Sequence, residues 1–183
     1  MLRGRELWLA MLAAIIIGGI YWAVVQLTHE IPPAADLFGH ALGIVGFILM
    51  LMTEILYSLR KRSRAARWGK MSAWLEFHIF TGLVGPFMVL LHTSWKFNGL
   101  AGVSTLFTVI IVISGFIGRY IFTRIPRTID GVEIEGTLSE SALRQARRLM
   151  ALWHTVHIPI GMAVFVAAFV HIGGALYYAT FLK

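Results

Sequence analysis

Seven histidines stand in a chain of 183 residues that is 58% apolar, and four of them repeat one spacing. His78 and His92 are separated by thirteen residues, and so are His157 and His171. Fourteen helical steps of about 100° fall about 40° short of four full turns, and at about 1.5 Å per residue they cover about 21 Å. Each pair therefore shares one helix face and offers imidazoles at two depths. Neutral imidazoles from two facing helices, on opposite sides of a porphyrin plane, are the axial ligands of a low-spin b haem. The repeated spacing predicts two haems b, one between His78 and His157 and one between His92 and His171, close enough for an electron to pass between them.

Other residues take their meaning from these four. Gly82 and Gly85 lie between His78 and His92, and Gly161 follows His157 by one turn. Absent side chains there would let a porphyrin lie against the helix, although small residues also serve contacts between membrane helices. His154 precedes His157 by three residues, about 60° round the helix, and does not repeat the fourteen-residue step. It is a candidate for a haem-propionate or quinone contact. His40 is a candidate quinone contact or ligand of a third haem, with plain packing as the competing role. Glu76, Glu54 and His154 at one level, and Asp36, His40 and Lys96 at the other, are the groups that could handle protons beside a haem.

The elements that must carry these residues are membrane spans. Only 14% of the residues are charged, well below the quarter or so of an ordinary soluble domain. Five stretches reach the roughly 20 mostly apolar residues that a span needs: about 7–27, 37–59, 71–92, 100–122 and 149–178. The predicted fold is an all-α integral membrane bundle of five transmembrane helices, a single domain over 1–183 with its haem core in 37–180. The first stretch reads as a retained anchor, since its apolar run is longer than a typical signal core. Thr137 and Glu140 have capping-box spacing, so a helix is expected to start there and run into the fifth span. Ile125-Pro126 and Asp130-Gly131 mark turns in the loop before it.

Charge sets the expected topology. Fourteen of the 16 Lys and Arg residues fall before the first span, between the second and third, or between the fourth and fifth, leaving only Lys96 and Lys183 for the opposite side. Positive residues stay inside, which puts the N-terminus inside and the C-terminus outside. The net charge of +7 is thus a topology signal rather than a nucleic-acid footprint. No cysteine is present, which excludes thiolate-bound iron–sulfur clusters, thiolate zinc sites and thioether-attached haem on this chain.

Parallel spans with histidines thirteen apart resemble two diheme families, the ferric reductase-like transmembrane domain shared with NADPH oxidases and the cytochrome b of quinol-oxidising bc complexes. The stretches Phe77-His78-Ile79-Phe80-Thr81-Gly82-Leu83-Val84-Gly85-Pro86, Leu91-His92-Thr93 and Ser114-Gly115-Phe116-Ile117-Gly118-Arg119-Tyr120 are more similar to the first. The resemblance covers spans two to five. It implies that the four histidines are haem ligands and makes Arg119 a candidate contact of the inner-haem propionates, beside its reading as a positive-inside anchor. The chain carries no Gly-rich dinucleotide fingerprint for a flavin or nicotinamide. The expected function is therefore a diheme cytochrome b subunit, in a bacterial cytoplasmic membrane, passing electrons between the quinone pool and a partner redox protein in a stable complex. Membrane lipid is the surrounding partner, and no nucleic acid is expected. Two other readings are a ferric reductase-type enzyme fed by a separate flavoprotein and a non-redox transporter or scaffold whose histidines line a proton path.

Overall fold

A computed structural model describes residues 4–62, 69–125 and 139–181. Within them the chain is all-helical. Helix α1 covers Arg5–Thr28, α2 Leu37–Arg62, α3 Met71–His92, α4 Gly99–Arg124 and α5 Glu140–Phe181. All five are long and apolar enough to cross a membrane. The expected spans fall within these helices, and α5 extends the fifth by more than two turns ahead of its apolar part. Ser139 caps that extension: its hydroxyl accepts the Ala142 N–H at 3.3 Å, and its carbonyl accepts the Leu143 N–H at 3.0 Å. Thr137 and the turns expected at Pro126 and Asp130-Gly131 lie outside the described residues.

Large apolar side chains such as Trp8, Ile15, Leu106, Phe116 and Met162 are exposed. In water that much exposed apolar surface would cost heavily, whereas against lipid it is the expected face. The interior is correspondingly rich in small and hydroxylated residues, with Thr81, Thr105, Thr108 and Ser114 buried. Their hydroxyls need partners in such a setting, and Thr105 and Thr108 donate to the carbonyls of Ala101 and Ser104 one turn back, at 2.9 and 2.8 Å.

Helix α3 is the central element. It packs along α2, touches α4, and receives α1 on a further face, while α4 packs along α5. A cluster of Tyr21, Leu42 and Leu91, with Phe38, Phe87 and Met88 against it, joins α1, α2 and α3. Beyond α3 the chain turns through Ser94 and Trp95, both left-handed at φ 51° and 61°. The Ser94 hydroxyl donates to Pro32 O at 2.6 Å, tying that turn to the α1–α2 connection. Helices α3 and α5 do not pack on each other: among the described residues, no Cα of one lies within 8 Å of a Cα of the other.

Candidate haem-binding site

Helices in direct contact run about 8–10 Å apart, so α3 and α5 leave a gap, and the four spaced histidines border it. His157 lies within electrostatic reach of His78, and His92 within reach of His171. The order of these neighbours along the two helices means that α3 and α5 run in the same direction. Each α3 histidine thus has one α5 histidine in its neighbourhood.

Three of the four rings are held by their Nδ1 atoms. His78 Nδ1 lies 3.0 Å from Thr53 O, and His92 Nδ1 lies 2.8 Å from Gly39 O. A carbonyl oxygen can only accept, so each Nδ1 carries the proton and donates, leaving Nε2 as the bare nitrogen with a lone pair. A helix carbonyl has a second lone pair for this bond. His157 Nδ1 lies 3.0 Å from Ser114 Oγ on α4. His171 makes no hydrogen bond among the described residues. A metal-ligating histidine almost always donates its other N–H in this way, which sets its tautomer and orientation.

The acceptors on α2 repeat the ligand spacing. Gly39 and Thr53 are fourteen residues apart, matching His92 and His78 across the antiparallel helix pair. Midway between them Gly46 meets Gly85: a Cβ on Gly46 would stand 2.8 Å from Gly85 O, and one on Gly85 would stand 2.9 Å from Gly46 O. Gly43 makes room for the His92 ring itself, since a Cβ there would lie 2.9 Å from His92 Nδ1 and 3.0 Å from its Cε1 and Cγ. Around His78, Tyr57 packs at 4.7 Å between ring centroids. Thr53 donates to Thr81 Oγ1 at 2.7 Å, and Thr81 donates back to Phe77 O at 2.9 Å.

Two expectations are corrected here. Gly82 and Gly85 were expected to bed a porphyrin, but both face α2, with Thr53 Cγ2 at 3.4 Å from a Cβ on Gly82. They let the α2 and α3 backbones approach. Arg119 was a candidate contact of a haem propionate, beside its reading as a positive-inside anchor. Instead its Nε and a terminal nitrogen donate to Glu6 Oε1 on α1 at 2.9 and 2.8 Å, and Glu6 is 2% exposed. A cation that reaches a buried carboxylate is held there, because either charge alone in that setting would be costly. Gly161, by contrast, has only Ile111 Cδ1 near it, at 3.9 Å.

The secondary candidates are more dispersed. The His40 ring stands 6.5 Å from that of His92, but its Nδ1 donates at 3.2 Å to the carbonyl of Asp36, the residue before α2, and His40 is exposed. His154 packs against Trp153 at 4.8 Å. Glu76 is half-buried on α3, and Glu54 accepts from the Ser58 hydroxyl at 3.2 Å. Gly43, Ser114, Trp153 and Glu6 carry the site or its frame without having been singled out for it. The spacing of Gly43 from Gly39 and Gly46, a small-residue stripe on α2, is the signal that would have found it.

Among the described residues no group of three or more His, Cys, Asp or Glu could hold a bare metal ion. Two imidazoles per level is what a porphyrin, which brings four nitrogens of its own, requires. The donor chemistry, the tethered Nδ1 atoms and the gap between α3 and α5 all fit a haem at each level. No family model matches the chain, and no curated protein or solved structure does either.

Proposed function

We propose that this chain is a diheme cytochrome b subunit of a membrane redox complex, moving electrons across the bilayer between the quinone pool and a partner redox protein. The observation that carries this reading is the pairing of His78 with His157 and of His92 with His171 across two helices held apart, with His78 and His92 tethered through Nδ1. When bound, each haem supplies a one-electron iron couple. The residues of the chain do the rest. His78, His92, His157 and His171 offer Nε2 to the iron. Thr53 O, Gly39 O and Ser114 Oγ hold three of those rings in plane and increase their electron donation. The apolar walls of α3, α4 and α5 exclude water, which limits the reorganisation an electron transfer requires. Quinone chemistry would call on a proton-handling group beside either level, with His154 and Glu76 near one and His40 near the other. A redox partner is part of the proposal because electrons that pass between two haems need a donor at one level and an acceptor at the other.

Purified protein should contain two b haems per chain by pyridine haemochrome analysis, with a reduced-minus-oxidised spectrum of low-spin bis-histidine type. His157→Ala should remove one haem and leave the other, whereas His154→Ala should retain both. A colourless preparation from haem-sufficient cells would end the redox reading and favour a transporter or scaffold.

A further inference from the structure

The stretch from Ser114 to Tyr120 stood out in the sequence without a role for its first and fifth residues. In the structure both serve one side chain of α5. Trp153 lies against Gly118, where a Cβ would collide with the indole ring. The indole Nε1–H donates to Ser114 O at 2.7 Å and also reaches Ser114 Oγ at 3.1 Å. The same indole stacks on His157, with centroids 4.4 Å apart and planes 28° from parallel. His157 in turn holds Ser114 Oγ at 3.0 Å through Nδ1. One hydroxyl oxygen and one indole thus define both the position and the plane of the imidazole.

We propose that Ser114 and Trp153 are positioning residues that set the reduction potential of one haem, the one ligated by His157, independently of the other. This inference rests on the haem assignment above. With Nε2 on iron, His157 must donate from Nδ1, and Ser114 Oγ is the acceptor. Donation to that acceptor makes the ring a stronger ligand and favours ferric iron, which lowers the potential. The indole N–H spends part of the same oxygen's capacity. Two donors on one hydroxyl oxygen weaken each other, so Trp153 limits how far Ser114 lowers the potential. No comparable arrangement exists at the other three rings: His78 and His92 use backbone carbonyls that no substitution removes, and His171 has no hydrogen-bond partner among the described residues. Ser114 is therefore the one side-chain acceptor among the ligand tethers, and its effect is confined to one level of the membrane.

The test is a redox titration of the two haem components in the intact, purified protein, with haem content measured alongside. Ser114→Ala should raise the potential of one component by about a tenfold change in its reduction equilibrium, about 59 mV for one electron, and leave the other in place. Ser114→Thr, which keeps the hydroxyl, should return it. Trp153→Phe keeps an aromatic ring against His157 but removes the N–H, and should move the same component the opposite way by about twofold. Two haems with no shift in Ser114→Ala, equal shifts of both components, or the same sign in Ser114→Ala and Trp153→Phe would each overturn the proposal. If Ser114→Ala fails to assemble, the sign of the Trp153→Phe shift decides it. A wild-type protein without haem would instead refute the haem assignment itself, so the two failures are distinguishable.

Discussion

Gly43 is the position where a single methyl group should separate the two proposed haem sites. The Cβ added by Gly43→Ala would lie 2.9 Å from His92 Nδ1 and 3.0 Å from two ring carbons. Ordinary contact begins near 3.4 Å, so ring and backbone must part by about 0.5 Å. The ring is a poor candidate to yield freely, because its Nδ1 is tied to Gly39 O at 2.8 Å, one turn along the same helix. A retreat of that size stretches the bond to about 3.3 Å, beyond the usual N–H···O range. The lost hydrogen bond is worth about 0.5–1.5 kcal/mol, and overpacking of a tight contact typically costs about 1–3 kcal/mol. Taken together the penalty is about 1.5–4.5 kcal/mol, at least about tenfold in affinity at about 1.4 kcal/mol per decade. It falls on the His92–His171 level alone. Pyridine haemochrome analysis after detergent extraction should find Gly43→Ala near one haem per chain, with the surviving component at its wild-type potential. Gly19→Ala is the matched control, since nothing lies within 4 Å of a Cβ there. Two haems with unchanged potentials in Gly43→Ala would refute the placement of His92 against α2, and with it the tether that aims Nε2 into the gap.

Two further substitutions test the frame. Gly46→Val places a Cβ 2.8 Å from Gly85 O, where backbone opposes backbone and neither can swing away; it should lower the thermal midpoint in detergent and weaken both haem sites together, because α2 tethers both α3 ligands. Arg119→Leu should leave both haems in place, as Arg119 is engaged with Glu6, yet it strands a buried carboxylate. Breaking a buried pair from one side costs about 3–5 kcal/mol, while replacing both members by apolar residues is often neutral. Unfolding of Arg119→Leu, Glu6→Leu and the double variant should therefore be strongly non-additive, and additive losses would show that the two charges do not depend on each other.

Much of this architecture is legible in the sequence because the membrane narrows the choices. Long apolar runs can only be spanning helices, and the fourteen-residue step survives as a shared face however the helices pack. That step and the up-and-down chain order are what suggest that His78, His92, His157 and His171 face one another in pairs. What could not be read is which surface a residue turns toward a neighbour not yet placed. Gly82 and Gly85 lie between the ligands along α3, but they sit on the side that meets α2, and nothing in the α3 sequence distinguishes that side from the one facing α5. Arg119 sits at the end of a span where a positive charge needs no further reason. Its partner, Glu6, looks like an ordinary acid in a helix's first turn, where the dipole welcomes it. The pairing joins residues 113 positions apart and becomes visible only when α1 and α4 are set side by side. Ser114 and Gly118 drew notice as part of a pattern, but their use depends on Trp153, on another helix.

The step that links the two levels is carried by α2 as much as by the ligands. Counting outward from the Gly46–Gly85 contact, seven residues lead to Thr53 and His78 in one direction and to Gly39 and His92 in the other. Seven residues are close to two turns, and helices that cross at about 20° keep residues at that interval facing one another. An antiparallel pair with glycine against glycine at its centre thus presents the same geometry twice, at equal distances above and below. Both α3 rings are tethered in equivalent fashion as a result, and each Nε2 is turned away from α2 by the same contact. The α5 side has no such symmetry: Ser114 and Trp153 hold His157, and among the described residues nothing comparable holds His171. The Nδ1 tethers on the α3 side are therefore built alike and those on the α5 side are not, so the tethers' share of any difference in potential between the two levels should originate on α5. Exchanging the α5 environments, for instance by supplying a hydroxyl within reach of His171 Nδ1, should narrow that difference, while substitutions at Thr53 that leave its carbonyl in place should not.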